Sequence, residues 1–297
     1  MRYKKIISQK WANIYQVREV FLRDNLYQKT LNYLKRQKHL DPNKIKELNK
    51  INYNKKFPVF NVLLHKKVIV GFLGTIFSNK FSYKIKYINC NVHSWLVDNN
   101  HRIVATLLFE KIMEKNCTIT VLSSLPRLHK IFEKMKFQKL IMYYNLIFIK
   151  KLDLLKKKNS FTLEQNNREI KKRLDKKNLQ ISNDHSNKNY VKFVFCKKNE
   201  KLSSFIIANI VYKKKYIKTI NILYSTNKNF LKKNIQQFYQ LVASEFNVLM
   251  CGEYILKKKE SIFNNKNYIN FTKKKEIYLR NKPLKFEFNN LYSELEY

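Results

Sequence analysis

The sequence predicts an α/β (α+β) chain built on a mixed, largely antiparallel central sheet flanked by helices. Three observations carry that expectation. The 297 residues are 44% hydrophobic, enough for a sizeable core despite a formal charge of +40. Apolar runs of strand length alternate with stretches whose apolar residues recur at helical spacing. With 3 Gly and 4 Pro, collagen-like, Gly/Ser-linker and Pro-rich architectures are excluded.

Residues 11–40 read as helix, because Val17, Val20, Phe21, Tyr27, Leu31 and Leu34 fall on one side. Asp41-Pro42 ends that stretch, and a short polar helix follows. Phe60–Leu64 and Val68–Phe77 read as strands joined by a tight turn at His65-Lys66-Lys67, and Tyr87–Val97 as a third. A helix over 101–115 turns Val104, Leu107, Leu108 and Ile112 inward, and Thr118–Leu122 is a short buried strand. Pro126 opens a helix through Met135, and Lys139–Lys150 is a strand. Residues 151–190 are rich in Lys and Asn and read as a polar linker with one charged helix near Leu163–Leu174. Val191–Cys196, Ser203–Tyr212 and Tyr216–Tyr224 then read as strands, Phe230–Phe246 as a helix and Asn247–Met250 as a strand. A β-β-β-α-β order thus occurs twice, near 60–122 and 191–250. A duplicated fold is one account, and the ordinary alternation of any α/β chain is the other. The acidic and aromatic close, Leu291 to Tyr297, suggests an ordered C-terminus docking on the sheet or at a homodimer contact.

The charge first suggests an anionic partner, nucleic acid above all. Yet of the 61 basic residues only 9 are Arg, the residue favoured for bidentate phosphate and guanine contacts. Ala is confined to Ala12, Ala105, Ala208 and Ala243, although it is the best helix former. Lys, Asn, Ile, Tyr and Phe, with AT-rich codons, are abundant. A strongly AT-biased genome is the simpler account, and nucleic-acid binding the alternative.

Cys90, Cys117, Cys196 and Cys251 are widely spaced, with no Cys-x-x-Cys pair, and the six His are scattered. Neither a metal site nor a disulfide scaffold is indicated. Buried, reduced thiols in a cytoplasmic protein fit best. The N-terminus lacks an apolar signal core, because Ile6-Ile7 runs straight into Ser8-Gln9-Lys10. The longest apolar runs, Val68–Phe77 and Leu140–Ile149, fall short of the roughly 20 residues of a membrane helix.

The stretch 68–137 carries the chemistry. Val70-Gly71-Phe72-Leu73-Gly74 is a hydrophobe-Gly-hydrophobe strand. Trp95 to Arg102 forms a strand end and loop in which Arg102 follows Val97 by five residues, ahead of a helix. Leu128 to Phe137 is a closing helix with a terminal Phe. In this order, these segments resemble the GNAT superfamily of N-acetyltransferases. The resemblance implies an acyltransferase domain over 1–150, the linker 151–190, and a second half over 191–297 that is a degenerate repeat if the duplicated order is real. It implies acetyl-CoA as cosubstrate and a small amine, such as an amino sugar, as acceptor. The coenzyme would lie along Leu96 and Val97, with its pyrophosphate at the helix start formed by Arg102, Ile103, Val104, Ala105 and Thr106. There, unpaired N–H groups and the helix dipole favour an anion.

The chain departs from that pattern in three places. Ala105 and Leu107 stand where the family's loop has small residues or glycine, Phe132 where it often has an acid tyrosine, and Lys136 where it has glycine. A catalytically lapsed, structural protein of the same fold is the alternative they raise. If the site is active, its acid and base come from elsewhere. His93 can serve as base because histidine titrates near neutral pH, and Tyr143 or Tyr144 as proton donor. The plainer roles for all three are strand packing and surface.

Overall fold

The computed structural model describes residues 11, 13–37, 41–50, 55–82, 85–149, 160–186, 190–198, 202–213, 216–257, 261–262, 270–281 and 291. The chain begins with β1 (Tyr15–Val20), α1 (Asn25–Lys35), α2 (Pro42–Lys50), β2 (Phe60–His65), β3 (Val68–Ser82) and β4 (Ile85–Val97). A 3-10 segment (Asn99–Phe109) runs into a single α-turn, α3 (Glu110–Met113), and β5 (Thr118–Val121). A 3-10 turn (Pro126–Leu128) leads into α4 (His129–Lys134) and β6 (Gln138–Phe148). Then come β7 (Phe161–Glu164), α5 (Asn167–Arg173), α6 (Lys176–Asp184), β8 (Tyr190–Lys197), β9 (Ser203–Lys213) and β10 (Ile217–Ser225). The last elements are α7 (Lys228–Lys233), α8 (Ile235–Phe246), β11 (Met250–Ile255) and β12 (Asn270–Arg280).

All twelve described strands join one mixed, mostly antiparallel sheet in the order β1-β2-β3-β4-β5-β12-β6-β11-β10-β9-β8-β7. This order reads the same from both edges once β12 and β6 are treated as equivalents. Each half supplies β-α-α-β-β-β-α-β and then a final strand. The two final strands are exchanged: β12 pairs with β5, while β6 pairs with β11. The antiparallel β12–β6 seam ties them together from Asn270–Ile147 to Leu279–Gln138. The parallel pairs are β4–β5 and β10–β11, one in each half.

Register carries one face across the whole sheet. On it α1 and α2 cover Val20, Phe60, Val62 and Phe72, while Ile170 and Ile181 of α5 and α6 cover Val194, Phe205 and Ile207. On the other face the 3-10 segment, α3 and α4 pack over Leu73, Phe77 and Ile119, and α8 packs over Phe193, Phe195 and Ile220. Burying these two apolar faces is the main favourable term that holds the fold. No described helix is long and apolar enough to cross a membrane.

Several elements differ from the sequence reading. Residues 11–40 are not one helix. Tyr15–Val20 alternates half-buried and exposed and pairs with β2, and the Asp24 carboxylate accepts the Phe21 N–H at 2.7 Å where the chain turns into α1. The expected helix 101–115 is wound mostly as 3-10. The expected linker is structured over 160–186, because the Asn166 and Asp175 side chains cap α5 and α6 and one isoleucine from each is buried; residues 151–159 and 187–189 lie outside the described residues. The helix expected at Phe230–Phe246 breaks at Asn234, and the following strand begins at Met250. Of the closing segment only Leu291 is described; it is buried beside Ile170 and Leu223, and 292–297 lie outside the described residues.

Candidate functional site

The β4–β5 pairing stops before β4 does, leaving the end of β4 open on that side among the described residues. Four parallel pairs run from Asn89–Thr118 to Val92–Val121, where β5 ends. β4 continues through His93–Val97 with only β3 beside it among the described residues. The opening begins at a β-bulge. Leu73 faces Trp95 and Gly74 faces His93, so Ser94 is extra, and its φ of 50° is left-handed. A bulge here re-aims the backbone and the flanking side chains.

His93 and Trp95 flank that bulge on opposite faces. Trp95 lies against Phe109 at 4.9 Å and Phe132 at 5.9 Å, and its Nε1 is buried with no hydrogen-bond partner among the described residues. His93 is buried on the α1/α2 side, with Nδ1 3.1 Å from Ser94 Oγ and Nε2 without a partner among the described residues. A Cβ added at Gly74 would stand 2.6 Å from Nε2 and 2.7 Å from Nδ1 of that ring. Glycine is what lets the imidazole lie flat on β3. Burial pushes the His93 pKa down to about 4, so the ring is neutral at physiological pH. The two unpartnered nitrogens are the kind of buried polar group that calls for a ligand, a water or strain to explain it.

The 3-10 segment starts where β4 ends, and N-terminal elements pin it. Tyr33 Oη and Gln37 Nε2 donate to Asp98 Oδ1 at 2.7 and 3.4 Å. Burial and the Asp98 charge push the Tyr33 phenol well up. Tyr15 Oη lies 2.8 Å from His101 Nδ1. The first i→i+3 bond, from His101 N–H to Asp98 O, leaves the Asn99 and Asn100 N–H groups ahead of it.

Of the sequence-predicted coenzyme residues, Leu96 and Val97 line the open stretch of β4. Arg102, Ile103 and Thr106 are exposed on the 3-10 segment, Ala105 is half-buried, and Val104 is buried. Leu107 packs in the core, so the side chain that departs from the family's glycine loop is used for packing. Phe132 is buried against Tyr278 at 5.0 Å and Phe137 at 5.5 Å. Lys136 adopts φ 61°, a left-handed C-cap conformation that costs roughly 1–2 kcal/mol without glycine.

The catalytic candidates do not converge. Register carries the His93 face through Thr120 and Leu279 to Met142 and Tyr144. Tyr143 therefore points to the other face, three strands away, or about 14 Å. Tyr144 instead belongs to a half-buried network reaching into the second half. Lys213 Nζ donates to Tyr144 Oη at 2.7 Å, which donates to Asn221 Oδ1 at 2.7 Å, and Asn221 Nδ2 donates to Asn209 Oδ1 at 3.1 Å. Burial, then the Tyr254 and Cys251 charges, push the Tyr144 phenol up; burial, then Lys273, pull Lys213 down. Sequence reasoning missed this network, whose members lie on three strands, β6, β9 and β10, far apart in the chain; Gly252, the only glycine of the second half, marks where Asn221 and Tyr144 approach the backbone.

The second half repeats the opening. β10 and β11 pair from Thr219–Met250 to Ile222–Glu253, and both run on past a bulge at Leu223. Here the following helix start is filled from within, since Asn227 Oδ1 accepts the Phe230 N–H at 3.0 Å. The four cysteines are buried free thiols, and burial raises the pKa of Cys90, Cys117 and Cys251.

The mixed sheet, with β5 stopping beside a bulged β4 that feeds a helix start, has the fold of the GCN5-related N-acetyltransferases. The structure matches such an enzyme from Anabaena variabilis at TM-score 0.59 and 11% identity, over 90% of this chain and 72% of that one. It matches one from Kribbella flavida at 0.59 and 10%, over 91% and 72%. It also matches Saccharomyces cerevisiae N-myristoyltransferase with bound myristoyl-CoA at 0.51 and 9%, over 90% and 79%. No family model matches the sequence, and no curated protein does.

Proposed function

We propose that the protein transfers an acyl group from a coenzyme A thioester to a small amine, at the β4–β5 opening of the first half. The observation that carries this reading is the bulge at Ser94 where β5 stops, followed at once by a helix start with free N–H groups. The main chain of Leu96 and Val97 would hold the pantetheine arm as a missing strand would. Arg102 and the N–H groups of Asn99 and Asn100 would face the pyrophosphate, since the N–H groups of 103–106 are used inside the 3-10 segment. N–H groups at the bulge would polarise the thioester carbonyl. The amine nitrogen attacks that carbonyl, the C–S bond breaks, and the departing thiolate takes a proton. His93, neutral at physiological pH, is the proposed base, a weak one because burial disfavours its cation. Tyr143, three strands away on the other face, is assigned no step. Acetyl-CoA is the first donor to try, and amino sugars are among the first acceptors.

Titration calorimetry with acetyl-CoA and longer acyl-CoAs tests the reading. Binding with thermal stabilisation is expected, weakened several-fold in Arg102→Glu. No heat and no stabilisation at millimolar ligand would overturn it. A lapsed, structural role is the second reading, favoured by the Phe132 side chain at the acid position and the Asp98 carboxylate at the loop. Turnover with any amine refutes it.

A further inference from the structure

On the α4 face, away from His93, Ser124 Oγ lies 3.3 Å from His129 Nε2, and His129 Nδ1 lies 2.7 Å from Glu276 Oε2. Three elements meet to make this line. Ser124 sits in the loop three residues past the end of β5, His129 begins α4, and Glu276 arrives on β12 from the other half. The second Glu276 oxygen is held by Lys139 Nζ at 2.6 Å. That bond, before all other influences, holds the Glu276 carboxyl below the usual carboxylate range, so it is ionised at neutral pH. The Tyr278 ring packs 5.1 Å from the imidazole and limits its rotation. Ser124 is half-buried, and Leu125, Pro126 and Arg127 around it are exposed, so the hydroxyl is reachable from solvent.

A hydroxyl on one imidazole nitrogen and a carboxylate on the other is the arrangement that activates a serine. It is recognised by geometry and role, on whatever fold it occurs. The β4–β5 acyl-transfer reading does not use these groups.

We propose that Ser124, His129 and Glu276 form a serine nucleophile centre that takes an acyl group from an activated ester or thioester and releases it to water. In the first step Ser124 Oγ forms a bond to the acyl carbon while its proton passes to His129 Nε2. The carbon–oxygen or carbon–sulfur bond to the leaving group breaks, and that proton leaves with the alcohol or thiol. In the second, water attacks the Ser124 ester, a proton passes through Nε2, and the carboxylic acid departs as the serine hydroxyl is restored. Glu276 is a positioning residue: it fixes the ring so that Nε2 faces Ser124.

The test uses the full chain with p-nitrophenyl acetate and, separately, a fluorophosphonate. A burst of nitrophenol is expected, with one acetyl or one phosphonyl group located on Ser124 by peptide mass mapping. Ser124→Ala removes both. His129→Gln slows acylation by about 100-fold or more. Glu276→Gln slows it less, with recovery in Glu276→Asp, a rescue that a merely structural role would not give. Far-UV dichroism and melting of each variant keep loss of fold apart from loss of chemistry. No labelling, labelling of Ser123 or another residue, or labelling indifferent to His129→Gln overturns the proposal. Neither reagent contains coenzyme A, so failure here leaves acyl-CoA binding untouched, and the reverse also holds.

Discussion

Acidifying the protein from about pH 7.5 to about pH 4.5 is expected to remove about 2–3 kcal/mol of stability through His93 alone. Its folded pKa is about 4, against 6.5 for the ordinary imidazole, and burial is the cause. Between these values the unfolded chain holds the extra proton and the folded chain does not. The contribution is therefore complete above the unfolded pKa and is lost as pH falls toward the folded one. Each unit of the gap is worth about 1.4 kcal/mol, a large share of a typical net stability of about 5–15 kcal/mol. The assay is urea unfolding followed by tryptophan fluorescence at both pH values, for wild type and His93→Gln. Other titrating groups act on both proteins alike, so the quantity read is the difference between their pH-dependent losses. Equal losses would refute the burial argument, as would an imidazole NMR titration placing His93 near its ordinary pKa.

Lys136→Gly is expected to stabilise the protein by about 1 kcal/mol in urea unfolding, because glycine takes the left-handed φ without strain. Gly74→Ala should cost about 1–3 kcal/mol in the same assay, since the new methyl group meets the His93 ring. Arg280→Ala should cost about 2 kcal/mol, because Nη1 donates to Met135 O at 2.7 Å and joins β12 to the end of α4. Asp98→Asn is expected to tighten acyl-CoA binding several-fold by calorimetry, because it removes a negative charge from the proposed pyrophosphate site while an amide oxygen remains for Tyr33.

The local elements were legible where a single period dominated. Val68–Phe77, Thr118–Leu122 and the helix from Pro126 stand close to where the apolar spacing puts them. Val17 and Val20 misled, because residues three apart share a helix face but lie on opposite faces of a strand, and here both faces are covered, Val17 on the side of the 3-10 segment and Val20 under α1 and α2; the Asp24 turn separates strand from helix. β12 gave little signal, since Lys273, Lys274 and Lys275 resemble a solvated run. Its place is set by partners on β5 and β6, which no local pattern reports. The same is true of the site. The β4 edge and Arg102 are candidates that the family resemblance supplies, whereas the bulge at Ser94 and the meeting of Ser124, His129 and Glu276 arise from tertiary pairing.

The strand exchange has a consequence for synthesis. β5 is complete at Val121, yet the strand that covers its outer edge ends at Arg280. At about 5–20 residues per second, a ribosome needs roughly 8 to 30 seconds to make the intervening stretch. Throughout that interval the middle of the future sheet is a bare edge, the feature that most invites pairing with a neighbouring chain. A nascent or C-terminally truncated copy is thus exposed to aggregation at its centre rather than its rim. Neither half is a unit that can be cut out and studied alone.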